Sequence, residues 1–442
     1  MTNVFAQVIG QAAMVADLAE AARAARGLAN RLDETAAGVV SMFGVGGATP
    51  GADGPPPGAE RAGQMSPGAG ERASMTHSWL FTGPPGSGRS VAATCFAAAL
   101  QCQDAEVVGC GRCRACATVL AHTHADVRHV VPEGLSLSVK EIRSVVQLAS
   151  RRPGTGRWQV VIVEDADRLT EQAANALLKV VEEPPARTVF LLCAPSTAPE
   201  DISVTLRSRC RHIALTTPSA AEIASVLVER DGIDAAAAQW AASVCGGHVG
   251  RAKRLATDPQ AQAQREAALR LAHAARRDAT AYQAAEELVA TAEAAAKEIS
   301  TELNEAETAE LKTALGAGGS GKGTARMPRG SAGALSELEK RQKSRATRVG
   351  RDVLDRALVD LAALYRDALV RSMGAQVTPM HPDKADDLVE ALVDHAAPAQ
   401  LLRCVDAVLD CRAALEVNVK PKFAVDAMIA KIGQALSGPP AP

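Results

Sequence analysis

The chain has 442 residues and a mass of 45.7 kDa. At about 100–200 residues per domain that is too much for one core, so two or three domains are expected. Hydrophobic residues at 47% and charged residues at 22% exclude wholesale disorder, and 2% aromatics leave Ala, Val and Leu to build the core. With 48 basic against 50 acidic residues, the net charge of −2 excludes a global field that steers the chain onto DNA or a membrane. Nucleic-acid contact must then be local or made through a partner.

Residues 1–10 lack a basic n-region and an apolar h-region, so no signal peptide is expected. No apolar run approaches the roughly 18 residues a spanning helix needs. Ten Cys, four of them tightly grouped, suggest metal binding rather than a disulfide framework. The expectation is a reduced, cytoplasmic, multidomain protein with no membrane partner.

In chain order, residues 11–40 are Ala- and Leu-rich and read as one or two helices. Residues 44–74 turn to Gly, Pro and Ala (Gly51-Ala-Asp-Gly-Pro-Pro-Pro-Gly) with almost nothing to bury, a flexible insert. Order resumes at Trp79-Leu-Phe, a short apolar run leading into a Gly-rich turn. Strand-like runs at 127–131, 159–163, 188–193 and 212–215 then alternate with helix-length segments, which predicts a parallel sheet with crossover helices. Beyond Pro218 the strand signal stops. Residues 220–257 read as a small helical bundle, followed by a long Ala/Glu helix carrying Glu286 to Glu310. A second Gly-rich break falls at 316–330, and a basic stretch runs from Lys340 to Arg351. Amphipathic helices are expected near 352–373, 384–396, 399–416 and 421–436. The fold class is therefore α/β, then all-α.

Gly83-Pro-Pro-Gly-Ser-Gly-Arg-Ser90 has the spacing of a phosphate-binding loop between a strand and a helix. Gly83, Gly86 and Gly88 let backbone N–H groups wrap phosphate, a helix N-terminus adds its dipole, and Ser90 is placed to hold Mg²⁺. The position that needs Lys holds Arg89, a wide planar fork rather than a compact ammonium. After the apolar run Val160-Val-Ile-Val, the acids come as Glu164 then Asp165, whereas an ATPase of this kind places Asp before Glu. Exchanging them changes reach by a methylene at each position, enough to spoil near-attack geometry. The nucleotide site is thus present in outline and degraded in detail, and a solvated acidic cluster at a strand end is the plainer alternative for Glu164-Asp165.

Cys102, Cys110, Cys113 and Cys116 form C-x₇-C-x₂-C-x₂-C. Four thiolates complete a closed tetrahedral Zn²⁺ site, and with no open position for substrate such a site is structural. Iron–sulfur ligation also uses four Cys, but nothing nearby suggests electron transfer. Cys95, Cys193, Cys210, Cys245, Cys404 and Cys411 are dispersed and read as small buried hydrophobes.

Three segments go beyond a generic phosphate-loop protein: Leu169-Thr-Glu-Gln-Ala-Ala-Asn-Ala-Leu-Leu-Lys-Val-Val-Glu-Glu-Pro-Pro185, the four-Cys module, and Leu206-Arg-Ser-Arg-Cys210. Together they resemble the clamp-loader family of bacterial DNA polymerase III, nearest to its delta-prime subunits. The likeness covers residues 1–40 and 76–257, with Asn418-Val-Lys-Pro421 similar to the start of that family's last helix. The resemblance implies an AAA+ domain (1–43 plus 75–217, zinc module at 102–116), a three-helix lid (218–257) and a helical collar (258–442). It further implies a hetero-pentameric ring with gamma/tau-like ATPase and delta-like subunits that opens a sliding clamp and places it on primed DNA.

In that family the Arg of Ser-Arg-Cys reaches a neighbour's ATP, which maps onto Arg209; Arg251 falls near a lid position that senses γ-phosphate. Ala194 and Pro195 stand where active subunits carry a polar sensor. The resemblance therefore implies a stator that donates Arg209 in trans and turns over little or no ATP·Mg²⁺, a polymerase label describing only the assembly. Two other readings stay open: a working ATPase subunit of the same loader, and a phosphate-loop remodelling ATPase outside replication.

Overall fold

The computed structural model describes residues 3–42, 75–275, 278–315 and 331–437; the expected inserts at 44–74 and 316–330 lie outside them. The chain divides into two compact units, one of residues 1–132 with 137–218, the other of 133–136 with 219–442.

In the first unit, five short strands form one parallel sheet: β1 (Ser78–Thr82), β2 (Val127–Val130), β3 (Gln159–Val163), β4 (Thr188–Ala194) and β5 (Arg211–Ala214), in the order β2-β3-β4-β1-β5. The four apolar runs expected from sequence each become a strand, to within a residue at either end. Period-two alternation sorts their side chains onto two faces. Trp79, Phe81, Val160, Ile162, Val189 and Leu191 point to one face. Leu80, Val161, Val163, Phe190 and Leu192 point to the other.

The first face is covered by α1 (Ala12–Met42), a single helix where one or two were expected, and by α2 (Arg89–Gln101). Half of the buried residues of helix α2 are Ala, which lets its backbone lie close to the strands while Phe96 meets Trp79 edge-on at 4.9 Å. The opposite face is covered by α4 (Val139–Ala149) and α5 (Glu171–Glu182), which follow α3 (Arg114–Leu120) in the chain. Their apolar residues recur at helical spacing, Ile142, Val145 and Ala149 on α4 and Ala173, Leu177 and Val181 on α5. Each is started by its own side-chain cap, Ser138 with Glu141 in a capping box and Thr170 accepting from Ala173 N–H. A one-turn helix, α6 (Val204–Arg207), precedes β5.

The second unit is helical. Three short helices, α7 (Ala220–Glu229), α8 (Ala235–Val244) and α9 (Val249–Thr257), share a small core around Ile223, Leu227, Ala238 and Leu255. The remainder, α10 (Pro259–Ala274), α11 (Asp278–Ala314), α12 (Ser331–Ser372), α13 (Glu390–Val393), α14 (Pro398–Glu416) and α15 (Pro421–Ser437), closes round Leu358, Leu361, Tyr365, Leu401 and Val425. Sequence placed the start of the α12 helix near 352, whereas it starts at Ser331 and takes in the basic stretch. Arg345 explains the extension, because its guanidinium grips Glu307 at 2.6 and 2.8 Å and Asn304 on α11. Pairing along α11 supports turns whose own sequence is too polar to pack. The segment expected as a helix at 384–396 is shorter and irregular, a π-turn at Ala385–Val389 running into α13.

Candidate functional site

The carboxyl ends of β1, β3 and β4 lie side by side, Val163 in register with Leu192 and Thr82 with Ala194. In an open parallel sheet that edge is where ligands bind. The loop after β1 is the glycine-rich one. Gly83 has no room for a side chain, since a Cβ there would lie 2.6 Å from Ser87 Oγ and 2.7 Å from the Leu215 carbonyl. Gly88 caps α2 in the left-handed region at φ 92°, aiming the first N–H groups of the helix back over the loop.

Two donors in this loop have no partner among the described residues: Ser87 Oγ and Arg89 Nη1 are buried and unbonded. Such atoms are costly unless something supplies an acceptor, and an oxyanion over the helix N-terminus does so. The loop therefore fits a phosphate group.

The acidic side of the site is differently occupied. Glu164 leaves β3 directly, meets His129 Nδ1 at 3.2 Å and lies close to the Ser90 hydroxyl. These contacts, the one to His129 foremost, hold the Glu164 carboxyl below its usual range although burial opposes them. His122 stacks obliquely on His129 at 4.0 Å between centroids, and burial lowers its pKa, with His129 pushing the same way. Asp165 sits 4.0 Å from Arg168. Burial raises the pKa of Asp167, Asp165 adds to the rise, and Arg89 partly offsets it. Cys193, at the end of β4, lies within reach of the Ser90 hydroxyl, and burial drives its thiol pKa upward.

Sequence reasoning singled out Glu164 and Ser90 but not their partners. His129 was missed because its place beside Glu164 follows only from pairing β2 with β3, His129 opposite Ile162. Cys193, expected as a buried hydrophobe, is buried as expected and lies near the Ser90 hydroxyl.

Arg209 follows α6. Its guanidinium bonds the Thr205 carbonyl at 3.0 Å and Ser208 Oγ at 3.2 Å, and pairs with Glu182 of α5 at 2.7 Å. The pair is partly exposed, so it is worth at most about 1 kcal/mol and leaves the Arg209 side chain free to exchange partners. Arg251, on α9 of the second unit, makes a two-pronged contact with Asp360 of α12 at 2.5 Å.

The cysteines form the other site. Cys102 ends α2, Cys110 lies in the following turn, and Cys113 caps α3, with Cys116 in its first turn. Their four sulfurs lie within 4.8 Å of one another, and all but Cys113 are buried. Backbone N–H groups point at the sulfurs, Cys113 N to Cys110 Sγ at 3.3 Å and Cys116 N to Cys113 Sγ at 3.5 Å. Such bonds favour thiolate, and Cys113 is lowered to about 7 by backbone N–H groups and the neighbouring thiols, against the pull of burial. Four convergent soft donors with backbone support can hold a metal ion.

Residues 64–219 match the family described as DNA polymerase III, delta subunit. Over this stretch the first unit is similar to delta-prime subunits of bacterial DNA polymerase III. Among delta-prime subunits of DNA polymerase III, that of Pseudomonas aeruginosa is 38% identical over 155 residues, 34% of this chain and 47% of the relative. That of Escherichia coli is 39% identical over 145 residues, 32% of this chain and 43% of the relative. The tau subunit of Bacillus subtilis is 34% identical over 139 residues, 31% of this chain and 24% of the relative. The chain thus spans less than half the length of these delta-prime relatives. A gamma-subunit-related structure from Thermotoga maritima aligns with 80% of this chain and 93% of its own at 15% identity, with a TM-score of 0.36 that carries no argument about the arrangement of parts. No helix among the described residues is long and apolar enough to cross a membrane.

Proposed function

We propose that this chain acts as a delta-prime-like member of a clamp-loader ring, a stator that supports ATP-driven placement of a sliding clamp on primed DNA without powering it. Its ring partners are gamma/tau-like and delta-like subunits, the helical second unit supplying the lid and the collar. The observation that carries this reading is the split character of the nucleotide site. The loop retains unbonded donors for a phosphate, Ser87 Oγ and Arg89 Nη1. Glu164, by contrast, is engaged by His129, and no ammonium stands in the loop. Binding energy spent equally on ground and transition states does not speed hydrolysis.

Arg209 is the residue assigned to act in trans. Its tie to Glu182 is weak, and a guanidinium delivered to a neighbour's γ-phosphate stabilises charge only once the ring has formed. Cys102, Cys110, Cys113 and Cys116 hold structural Zn²⁺, which joins the end of α2 to α3. Gly83, Gly86, Gly88, Arg89 and Ser90 cradle the phosphates of a bound nucleotide; Arg251, in the second unit, is assigned to γ-phosphate by the resemblance alone and is bonded to Asp360.

The test has two stages. The purified chain with Mg·ATP is expected to show no turnover; motor-like turnover abolished by Ser90→Ala would make it a working ATPase instead. In a reconstituted loader, Arg209→Ala is expected to cut DNA-stimulated ATPase at least tenfold while leaving the melting temperature of the isolated chain unchanged. Full activity in that variant would overturn the finger assignment.

A further inference from the structure

Within the helical unit, a cavity of about 150 Å³ opens among α9, α10, α11 and α12. That is about the volume that admits a benzene-sized guest. Its lining holds four guanidinium groups, from Arg251, Arg254, Arg265 and Arg356, against one carboxylate, that of Asp360. The carboxylate is already spent, since Arg251 takes both of its oxygens at 2.5 Å. Arg254 is held by Asp258 at 3.1 Å.

The other donors are not satisfied. Arg265 is 4% exposed; its terminal nitrogens bond Asp383 and His381, and its Nε has no partner among the described residues. Gln264 Nε2 is buried and unbonded. Arg356 has no hydrogen bond or ion pair among the described residues. Burial lowers its pKa, with Arg254 and Arg251 adding to the fall, while Asp352 and Asp355 partly oppose it. Neither acid is idle: Asp355 is bonded to Arg412 at 2.6 and 3.1 Å, and Asp352 pairs with Arg348.

Three of the four guanidiniums are paired, to Asp360, Asp258 and Asp383, and the remaining one, Arg356, is unfavourable in a half-buried cavity unless an anion offsets it. Arg356, Gln264 and Arg265 line this one space, and a set of a guanidinium, an amide donor and an N–H suits the tetrahedral oxygens of a phosphate better than a flat carboxylate pair. We infer that this cavity is an oxyanion site, selective for phosphate, free or as a monoester, held by Arg356, Gln264 and the Nε of Arg265. The apolar wall of Leu255, Leu288 and Val353 leaves room for the carbon of an ester. An occupied site would bridge α9 and α12 and stiffen the helical unit, a link to ligand that neither the phosphate loop nor the four cysteines supplies.

The experiment measures melting temperature of the full chain against added inorganic phosphate, and separately a nucleoside monophosphate, at fixed ionic strength with chloride as the balancing ion. Two variants separate the sites: Arg356→Gln for the cavity and Arg89→Gln for the phosphate loop. A saturable rise that survives Arg89→Gln and disappears in Arg356→Gln supports the inference; the arm that saturates at lower concentration tells the free ion from the ester. Without phosphate, Arg356→Gln should melt no lower than the native chain, because it removes an uncompensated charge. Gln264→Met, with no bond to lose, should weaken binding at least tenfold and guards against misfolding of the first variant. No saturable rise in the native chain, or a rise kept in Arg356→Gln and lost in Arg89→Gln, overturns it.

Discussion

The phosphate loop and the cysteine module lie at opposite ends of α2, and they have kept different things. At the start of the helix the backbone is complete: a cramped Gly83 and a left-handed Gly88. The side chains there are not those of a motor, with Arg89 for an ammonium and Glu164 drawn to His129. At the far end the side chains are complete, four sulfurs within 4.8 Å. The lesson is that a packing requirement and a chemical requirement can be met separately. Gly83 is fixed by what surrounds it, whatever happens to nucleotide, whereas a metal site missing one sulfur has little reason to keep the other three.

The largest expected effect sharpens the metal side of this contrast. Stripping the metal with a chelator, or replacing the buried Cys116 by Ser, should cost about 4 kcal/mol or more, the end of α2 and the turn into α3 losing their common anchor. For a unit of this size that lowers the melting temperature by roughly 10 °C, read by calorimetry beside metal analysis showing one Zn²⁺ per chain. A metal-free chain that melts unchanged would reduce the module to an ordinary loop.

Next come the two glycines. Gly83→Ala drives a Cβ against the Leu215 carbonyl and should cost about 3 kcal/mol, within the range of overpacking. Gly88→Ala meets nothing within 4 Å and pays only for its left-handed backbone, about 1 kcal/mol. Urea denaturation of the pair separates packing from conformation; equal losses would mean that Gly83 is kept for phosphate and not for the fold.

A smaller effect concerns pH. Glu164 has a lowered folded pKa, so its contribution is present above the unfolded value of about 4.3 and fades as pH falls through the folded one. His129→Ala should therefore flatten the acid limb of the stability curve by about 1 kcal/mol below pH 4.3. An unchanged limb would dissolve the Glu164–His129 contact. Smallest of all, Arg89→Lys is expected to change Mg·ATP affinity less than tenfold and to confer no turnover, because Glu164 remains held. Isothermal titration with a phosphate-release assay checks both, and turnover in this variant would place the whole defect at Arg89.

Much of this was legible from residue order. Apolar runs at 159–163 and 188–193 could only be buried strands, and the segment between them had the length and spacing of a crossover helix. Glycine spacing announced the phosphate loop, and four Cys in fifteen residues announced a cluster, because both motifs are local and local geometry follows from local sequence. The long helix from Ser331 was underestimated because its first turns are held by Arg345 reaching Glu307 and Asn304, residues about forty positions away.

Sequence alone thus determined the alternation of the elements, the anion-ready loop and the thiol set. Tertiary structure alone decided which strand lies beside which, and with that the meeting of His129 with Glu164. It also decided that Arg251 faces Asp360 and that Arg356, among the described residues, has no direct ion pair. The physical reason is range: backbone geometry is fixed over a few residues, but the partner of a charge is whatever the fold brings within about 4 Å of it.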